Sequence, residues 1–347
     1  MIGARIDQRH SSCAPVSPFH VRLARVIIHR LDLADNQALA DAYEVERAAN
    51  LKSRPDWVGR GLDARILGWR AEDGWGKRLL GAWDGSTLQG FVAGMTSEDE
   101  PETTWIFIWV HPEYQDNGIG SALIVAAEAD SPSTTTRFVT SAYRPTVENI
   151  AALAKRFLNP LGYTVATTET VVELDLQAAD LPPIPAVEGY TISTHLNGVP
   201  VRYREQVGQI KGLVDAEAPS GQLGWSETAV SPAEYASEID RWVAQGSAAV
   251  ESIAVTENDD VAAWTCLVNA ATDERPADIE GTLVLREHRG HGLGAAVKLA
   301  SLYEAKKLGA VSRVRTSNDD QNTWMRSINT DLGFKPVESE AIFHKTR

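Results

Sequence analysis

The chain has few cysteines, no long apolar runs and too little positive charge to balance its acids. Only 2 of its 347 residues are cysteines, Cys13 near the start and Cys266 in a predicted strand. We therefore expect no disulfide framework and a reducing, cytoplasmic location. No apolar stretch is long enough to cross a bilayer. The first twenty residues lack the apolar segment of a signal peptide, so they are predicted to form an N-terminal tail.

Acidic residues outnumber basic ones, which gives a formal net charge of -14. This balance argues against nucleic acid or an anionic membrane as a partner. It is compatible with a cationic amine substrate, although a role in solubility is the simpler explanation.

What the sequence does have is one glycine-rich pattern that occurs twice. In each copy a β-forming run leads to Gln115 or Arg289, and glycines follow three and five residues later, at 118 and 120 and at 292 and 294. The offset is 289 − 115 = 174 residues, and a helical apolar pattern follows both times. A strand, a glycine turn and a helix start form an anion cradle, because the first N–H groups of the helix are unpaired. Glycine also lets a bulky diphosphate approach the backbone closely.

This pattern resembles the acyl-CoA signature of the GNAT (Gcn5-related N-acetyltransferase) superfamily, Gln/Arg-x-x-Gly-x-Gly/Ala after a strand. Two copies resemble its tandem members, the arrangement of mycothiol synthase and of the tandem acetyltransferase of clavulanic acid gene clusters. The resemblance implies an α/β fold with a mixed sheet, built as two tandem acyl-CoA N-acyltransferase domains. It also implies acetyl-CoA or another acyl-CoA as the donor substrate.

The rest of the sequence supports a duplication. A Leu-Gly-aromatic turn at Gly162 recurs at Gly333, and the order of predicted strands and helices repeats. Three prolines between 177 and 186 predict a stiff linker. The predicted divisions are a tail at 1–20, an N-terminal domain at 21–176, the linker at 177–186 and a C-terminal domain at 187–347.

The resemblance assigns coenzyme-binding roles to three kinds of residue. The pantetheine arm is expected to bond to strand backbone, the phosphates to the glycine turn and helix start, and asparagines after the penultimate strand to help hold the arm. An N-cap role for Asn149 and Asn322 is an equally good explanation. The predicted residues are Ile108, Trp109, Val110, Gln115, Asn117, Gly118, Ile119, Gly120, Ser121 and Asn149 in the first half, and Val284, Leu285, Arg289, Gly290, His291, Gly292, Leu293, Gly294, Ala295, Asn318 and Asn322 in the second.

Acids on the strand before the turn distinguish the two halves. Asp278 and Glu280 alternate along a predicted strand and are candidate general bases for an attacking amine. The matching first-half positions are Thr104 and Ile106, which cannot accept a proton. We prefer Glu280 for its longer side chain, while a solvent-facing strand entrance remains the alternative explanation for both acids.

The general acid is not assigned by the sequence. The family often has a tyrosine about four residues before the glycine of the Gly-aromatic turn, and here those positions are Asn329 and Leu158. A thiol with a pKa of about 8.5 is a tolerable leaving group without one.

These observations predict an N-acetyltransferase that acts on a small-molecule amine. Catalysis is expected in the C-terminal domain and structural acyl-CoA binding in the N-terminal one. Alternatives are a non-catalytic acyl-CoA sensor, an O-acyltransferase and a protein-lysine acetyltransferase. His288 and His291 lack a third ligand nearby, so no metal is expected. A monomer and a homodimer both fit the sequence.

Overall fold

The computed structural model describes residues 26–145, 150–270 and 275–347. The first half contains, in chain order, β1 (Ile27–Arg30), α1 (Asn36–Ser53), α2 (Leu62–Arg70), β2 (Trp75–Asp84), β3 (Thr87–Ser97), β4 (Thr103–Val110), α3 (Ile119–Asp130), β5 (Arg137–Pro145), α4 (Ile150–Leu158) and β6 (Thr164–Asp175). The second contains β7 (Tyr190–Leu196), α5 (Arg204–Glu217), α6 (Pro232–Ala244), β8 (Ser247–Thr256), β9 (Val261–Ala270), β10 (Ala277–Val284), α7 (Leu293–Leu308), β11 (Arg313–Asp319), α8 (Thr323–Asp331) and β12 (Lys335–Thr346).

Local sequence explains several of these boundaries. The Asp35 carboxylate caps α1 by accepting hydrogen bonds from the N–H groups of Gln37 and Ala38. Ser231 and Glu234 form a reciprocal capping box at the start of α6. Gly309 ends α7 with a φ of 71°, a conformation that glycine adopts without strain.

The repeated order of strands and helices predicted from sequence is confirmed, and the two halves form one mixed sheet. Its order is β1-β2-β3-β4-β5-β12-β6-β11-β10-β9-β8-β7. One element was not predicted from sequence, the last strand, β12.

The halves exchange their last strands at the centre of this sheet. β12 pairs with β5 of the first half, from Glu338 opposite Pro145 to Thr346 opposite Arg137. β6 pairs in turn with β11 of the second half. β6 and β12 also pair with each other. Each half therefore completes its sheet with a strand from the other, while the boundary of each predicted domain stays a prediction.

Helices cover both faces of the sheet and make separate apolar cores in each half. In the first half α3 packs on one face around Leu123 and Ile124, and α1 and α2 pack on the other around Leu39 and Trp69. The second half repeats this arrangement, with α7 on one face and α5 and α6 on the other. Across the described ranges, no helix has the length and apolar character needed to cross a membrane.

Candidate active site and coenzyme cradles

The first cradle lies where β4 turns into α3. Gly118 occupies the N-cap position with a φ of 80°, and no side chain caps the helix. The side-chain amide of Gln115 donates to the carbonyl oxygen of Val110 at 3.0 Å, which fixes the turn to the end of the strand. Asn117 donates to the carbonyls of Tyr114 and Gln115 inside the same turn. The first N–H groups of α3 are thus left for a ligand, since no side chain of the turn caps them.

The second cradle repeats this geometry. Gly292 has a φ of 78° at the N-cap of α7, and Nε of Arg289 donates to the carbonyl of Val284 at 3.0 Å. Gly290 also has a positive φ, 84°. The predicted residues at the two helix starts occupy equivalent first turns: Ile119, Gly120 and Ser121 in α3, and Leu293, Gly294 and Ala295 in α7.

Among the described residues, an acidic side chain from outside the turn contacts the second cradle and not the first. Glu217, at the end of α5, binds both Arg289 and Arg286 and is largely buried. Desolvation acts in the opposite direction, but hydrogen bonds from these two arginines lower the pKa of Glu217. Sequence spacing could not indicate this contact, because α5 lies far from the turn along the chain.

Beside each cradle, two parallel strands pair briefly and then separate. β4 and β5 pair from Thr103–Arg137 to Trp105–Val139, and β10 and β11 pair only at Ala277–Val314 and Asp278–Arg315. We call the openings beyond these pairs splay 1 and splay 2. A ligand arm can bond to strand backbone at such an opening as an added strand would.

The predicted pantetheine-binding residues lie along these openings, with one exception. Ile108, Trp109 and Val110 lie on β4 beyond its last pair with β5. Val284 ends β10, whereas Leu285 lies just past the strand. The N–H of Leu285 donates to the carbonyl of Ala262, so that group is already used.

A β-bulge at splay 2 sets the position of Glu280. The pairing of β10 with β9 shifts between Ile279 and Gly281, which leaves Glu280 as the extra residue. The regular alternation of Asp278 and Glu280 predicted from sequence is therefore wrong. β4 has no such shift against β3 over Gly90–Val110 to Thr96–Thr104, and Ile106, which matches Glu280, is buried in the core under α3. The bulge is a difference between the halves that residue types alone did not reveal.

The surroundings of Glu280 suit a group that exchanges protons near neutral pH. Glu280 is exposed to solvent, although protein surrounds its carboxylate closely. Desolvation, followed by repulsion from Asp278 and Glu238, raises the pKa of Glu280 to about 7, while Lys211 and Arg60 oppose the shift. A carboxylate with such a pKa is matched to accepting a proton at neutral pH. Asp278 lies within 3.4 Å of the Arg275 guanidinium.

A polar cleft of about 340 Å³ opens directly onto splay 2. Its floor comes from strands of both halves, with Tyr143 and Val171 from the first. Its roof is formed by the segment between α1 and α2 of the first half, which includes Trp57 and Val58. The lining residues are Arg54, Trp57, Val58, Tyr143, Val171, Arg275, Pro276, Asp278, Ile279, Arg315, Thr316, Ser317, Glu338 and Glu340. The cleft is therefore shared between the halves, which the sequence did not indicate.

An ion pair between the halves holds one wall of this cleft. A row of acidic residues crosses the strands beside it. Arg54 of the first half binds both oxygens of Glu338 on β12, at 2.5 and 2.6 Å. Tyr143, Glu340, Glu169 and Asp319 lie opposite one another across β5, β12, β6 and β11. Desolvation and Glu169 raise the pKa of Glu340 to about 7. Desolvation is also the largest cause of the raised pKa of Glu169.

A segment of the second half covers the paired residues of β4 and β5 beside splay 1. The segment after α5 crosses from the second half, and its Leu223 is buried against Val139 of β5. Trp225 stacks on Trp105 of β4 with ring centroids 5.7 Å apart. The Arg137 guanidinium lies over the Trp225 ring at 4.8 Å and also donates to the Leu223 carbonyl. Trp225 is thus packed on the first half, away from the cleft of the second.

The predicted asparagines differ in environment. Asn322 caps α8 by accepting from the N–H of Met325 at 3.2 Å. Asn318 lies on β11 beside splay 2, and its side-chain oxygen accepts from the Asn329 amide at 2.5 Å. Asn149 lies outside the described residues.

The predicted histidines of the second turn stay close to Tyr190. His288 contacts the Tyr190 hydroxyl through Nδ1 at 2.9 Å, and His291 lies beside the same ring. Within the part of the chain that the structure describes, no group of three or more His, Cys, Asp or Glu side chains is placed to hold a metal ion.

Comparisons with known proteins agree with this geometry. The model of the acetyltransferase (GNAT) family matches residues 38–156 and again 217–334. No curated protein matches the chain at a significant level. The fold is similar to a tandem GNAT protein from the clavulanic acid biosynthesis pathway, at 22% identity and a TM-score of 0.76 over 93% of this chain and 98% of that one.

Two further solved structures share the fold at lower similarity. A GCN5-related N-acetyltransferase from Sphaerobacter thermophilus is 18% identical with a TM-score of 0.65, over 93% of this chain and 96% of that one. A GCN5-related glucosamine N-acetyltransferase region of a fungal multi-domain β-N-acetylglucosaminidase is 18% identical with a TM-score of 0.64, over 98% of this chain and 39% of that one. With two family matches, two glycine cradles and two splays, the chain belongs to the GNAT acetyltransferase family as a tandem member.

Proposed function

We propose that this protein transfers an acetyl or other short acyl group from coenzyme A to the amine of a small polar molecule. The second half is the catalytic half, and the first half binds acyl-CoA without turnover. The observation that carries the proposal is the contrast at the splays. A polar cleft and the bulge at Glu280 lie at splay 2, whereas Leu223 and Trp225 cover the paired strands beside splay 1. The paucity of cysteine supports a cytoplasmic location.

The residues of the second half have distinct roles in this reaction. Acyl-CoA supplies a thioester whose carbonyl carbon the amine attacks. The start of α7 holds the phosphates, and unpaired strand backbone at splay 2 holds the arm and donates to the carbonyl oxygen as negative charge develops. Glu280 accepts a proton from the attacking nitrogen. A C–N bond forms, the C–S bond breaks, and sulfur departs with the electron pair.

The cleft also supports a class of acceptor. A volume of about 340 Å³ suits a small molecule rather than a folded protein. Asp278 and the nearby Glu280 supply negative charge for a protonated amine before it binds, and the hydroxyls of Thr316 and Ser317 supply hydrogen-bonding groups. Arg54 and Arg315 are held by Glu338, so the polar wall is fixed before a ligand enters.

Native mass spectrometry with acetyl-CoA and a panel of small amines tests the proposal. We expect two bound coenzymes per chain and an acylated amine in solution. Two retained acetyl-CoA molecules with no acylated product would instead support a sensor. Acylation of an alcohol or of a lysine peptide in preference to every small amine would contradict the acceptor class.

Matched turn variants test the division between the halves. Gly118 and Gly292 have φ values of 80° and 78°, so Gly118→Val and Gly292→Val place the same side chain in the same left-handed backbone conformation. Gly292→Val should lose one bound coenzyme and transfer, while Gly118→Val should lose the other and keep transfer. The opposite pattern would assign catalysis to the first half. Thermal unfolding of both variants controls for misfolding.

A further inference from the structure

A buried polar pair stands behind splay 2 where the first half has an apolar pair. Lys298 of α7 and Asn329 of α8 are almost completely buried. Their first-half counterparts are Ile124 (298 − 174) and Leu158 (329 − 171), which are buried in the core under α3. Burying an amine and an amide costs stability relative to two aliphatic side chains of similar size. The difference between the halves therefore calls for a function that only the second half performs.

The hydrogen bonds of this pair have one possible direction. Nζ of Lys298 lies 2.7 Å from the side-chain oxygen of Asn329, and an amide oxygen can only accept, so Lys298 donates. The Asn329 amide nitrogen must then face outward, and it donates to the side-chain oxygen of Asn318 at 2.5 Å. The Asn318 amide nitrogen, with its two donor hydrogens, is then the last group in this series of hydrogen bonds. Asn318 lies on β11 beyond its last pair with β10, at the edge of splay 2.

Little else holds the Lys298 ammonium. Besides Asn329 it lies over the Phe334 ring, 5.9 Å from its centroid. Burial alone lowers the pKa of Lys298 to about 7, with no ionised side chain of the described residues contributing to the shift. A lysine with such a perturbed pKa beside a cleft is a candidate for a functional role.

We infer that Lys298, acting through Asn329 and Asn318, is a positioning residue that orients hydrogen-bond donors toward the sulfur leaving group at splay 2. The inference rests on the proposed function, because it assigns the second half the bound thioester. Lys298 fixes the order of donors and acceptors in this series of hydrogen bonds, because the Asn329 oxygen that it binds can only accept. The donors stabilise the thiolate as the C–S bond breaks, and its proton comes later from solvent.

The thiol of bound coenzyme A reports this arrangement without catalysis. We would saturate the protein with coenzyme A and titrate the thiolate by ultraviolet absorbance, subtracting the ligand-free protein. We expect two steps: one near the ordinary thiol pKa of about 8.5 for the first half, and one at least one pH unit lower for the second. In Lys298→Met the lower step should move up to join the other. One unshifted step in the native protein, or a lower step that survives in Lys298→Met, would overturn the inference.

Activity and stability measured on the same variants separate a functional from a structural role. The double variant Lys298→Ile, Asn329→Leu copies the first-half pair into the second half. We expect it to unfold at the same or a higher temperature while kcat falls about tenfold to a hundredfold. Unchanged kcat in this variant would contradict the inference. Lys306→Met removes a lysine that binds the Ala179 carbonyl from the same helix, and it should leave both kcat and the thiol titration unchanged.

The outcomes also separate the inference from the proposed function. A lowered thiol pKa that depends on Lys298, with no acylation of any amine, would remove the proposed function and leave the inference standing. Amine acylation with no effect of Lys298→Met on kcat or on the thiol pKa would remove the inference and leave the proposed function standing. Failure of the native protein to bind coenzyme A would overturn both.

Discussion

The two splays have the same origin in the fold but different surroundings. Each is covered by the segment that joins the first two helices of the opposite half. The segment from the first half, with Trp57 and Val58, roofs splay 2 and leaves a cleft. The segment from the second half, with Leu223 and Trp225, packs on β4 and β5 beside splay 1. The two halves thus share the geometry of the cradle and differ in how a crossing segment covers the strands next to it.

The largest expected effect comes from Glu280, the candidate base that only the second half has. Glu280→Gln removes the candidate base while keeping the size of the side chain. We expect kcat to fall about a hundredfold or more, since a positioned general base contributes about 10²–10⁴-fold. Steady-state kinetics with acetyl-CoA and the best amine of the panel would measure it, and the Kd for acetyl-CoA should stay within a few-fold. Asp278→Asn is the matched control with a smaller expected loss. If the double variant Glu280→Gln, Asp278→Asn remains fully active, the assignment of the base is wrong.

The second prediction concerns the segment that covers β4 and β5 beside splay 1. Leu223→Ala should lower the free energy of unfolding by about 2–4 kcal/mol, because it leaves a cavity between β5 and the crossing segment. Chemical denaturation at constant pH would measure this loss. Trp57→Ala is the counterpart on the other crossing segment. It should cost less stability and raise the KM for the amine, because Trp57 lines the open cleft. Equal stability losses in the two variants would show that the two coverings are alike.

The third prediction uses the acid row that joins the halves. The pKa of Glu340 is about 7 in the folded protein and about 4.5 when unfolded. Between these values the folded state keeps a proton that the unfolded state has released, so stability is lost as pH rises from about 4.5 to 7. Glu340→Gln should reduce this loss by roughly 1–3 kcal/mol. Unfolding of both proteins at pH 5 and pH 8 would measure the difference. A variant that loses as much stability as the native protein between these pH values would refute the assignment.

The smallest effect concerns the two cradles themselves. Arg289→Gln places the first-half side chain in the second cradle and keeps a group that can donate to the Val284 carbonyl, as Gln115 does to Val110. It removes a pair with Glu217 in which the arginine is half exposed, so we expect less than about 1 kcal/mol of lost stability. Calorimetry should find only a few-fold weaker binding of acetyl-CoA at that site. Complete loss of binding would mean that Arg289 does more than shape the turn.

Local features of the fold were predictable from sequence, and contacts between distant segments were not. The cradles follow from a strand, a glycine turn and a helix within about fifteen residues, so Gln115, Gly118, Arg289 and Gly292 lie where the pattern predicts. The candidate acids were found as residue types. The bulge that leaves Glu280 unpaired depends on register against β9, which residue types do not specify.

The polar chain behind splay 2 illustrates the same limit. Asn329 was noticed only because a tyrosine was absent from its position. Lys298 gave no signal, because a lysine in a helix is ordinarily exposed, and its burial depends on how α7 meets α8. The roof of the cleft likewise depends on a segment more than two hundred residues away along the chain.

The exchanged strands have a consequence for the synthesis of the protein. β12 occupies residues Lys335–Thr346 and lies between β5 and β6, so the sheet of the first half has a gap until nearly the whole chain has left the ribosome. During translation that half must wait, with the edge of β5 uncovered, for a strand made last. A premature stop that removes only β12 should therefore damage the beginning of the protein as severely as its end.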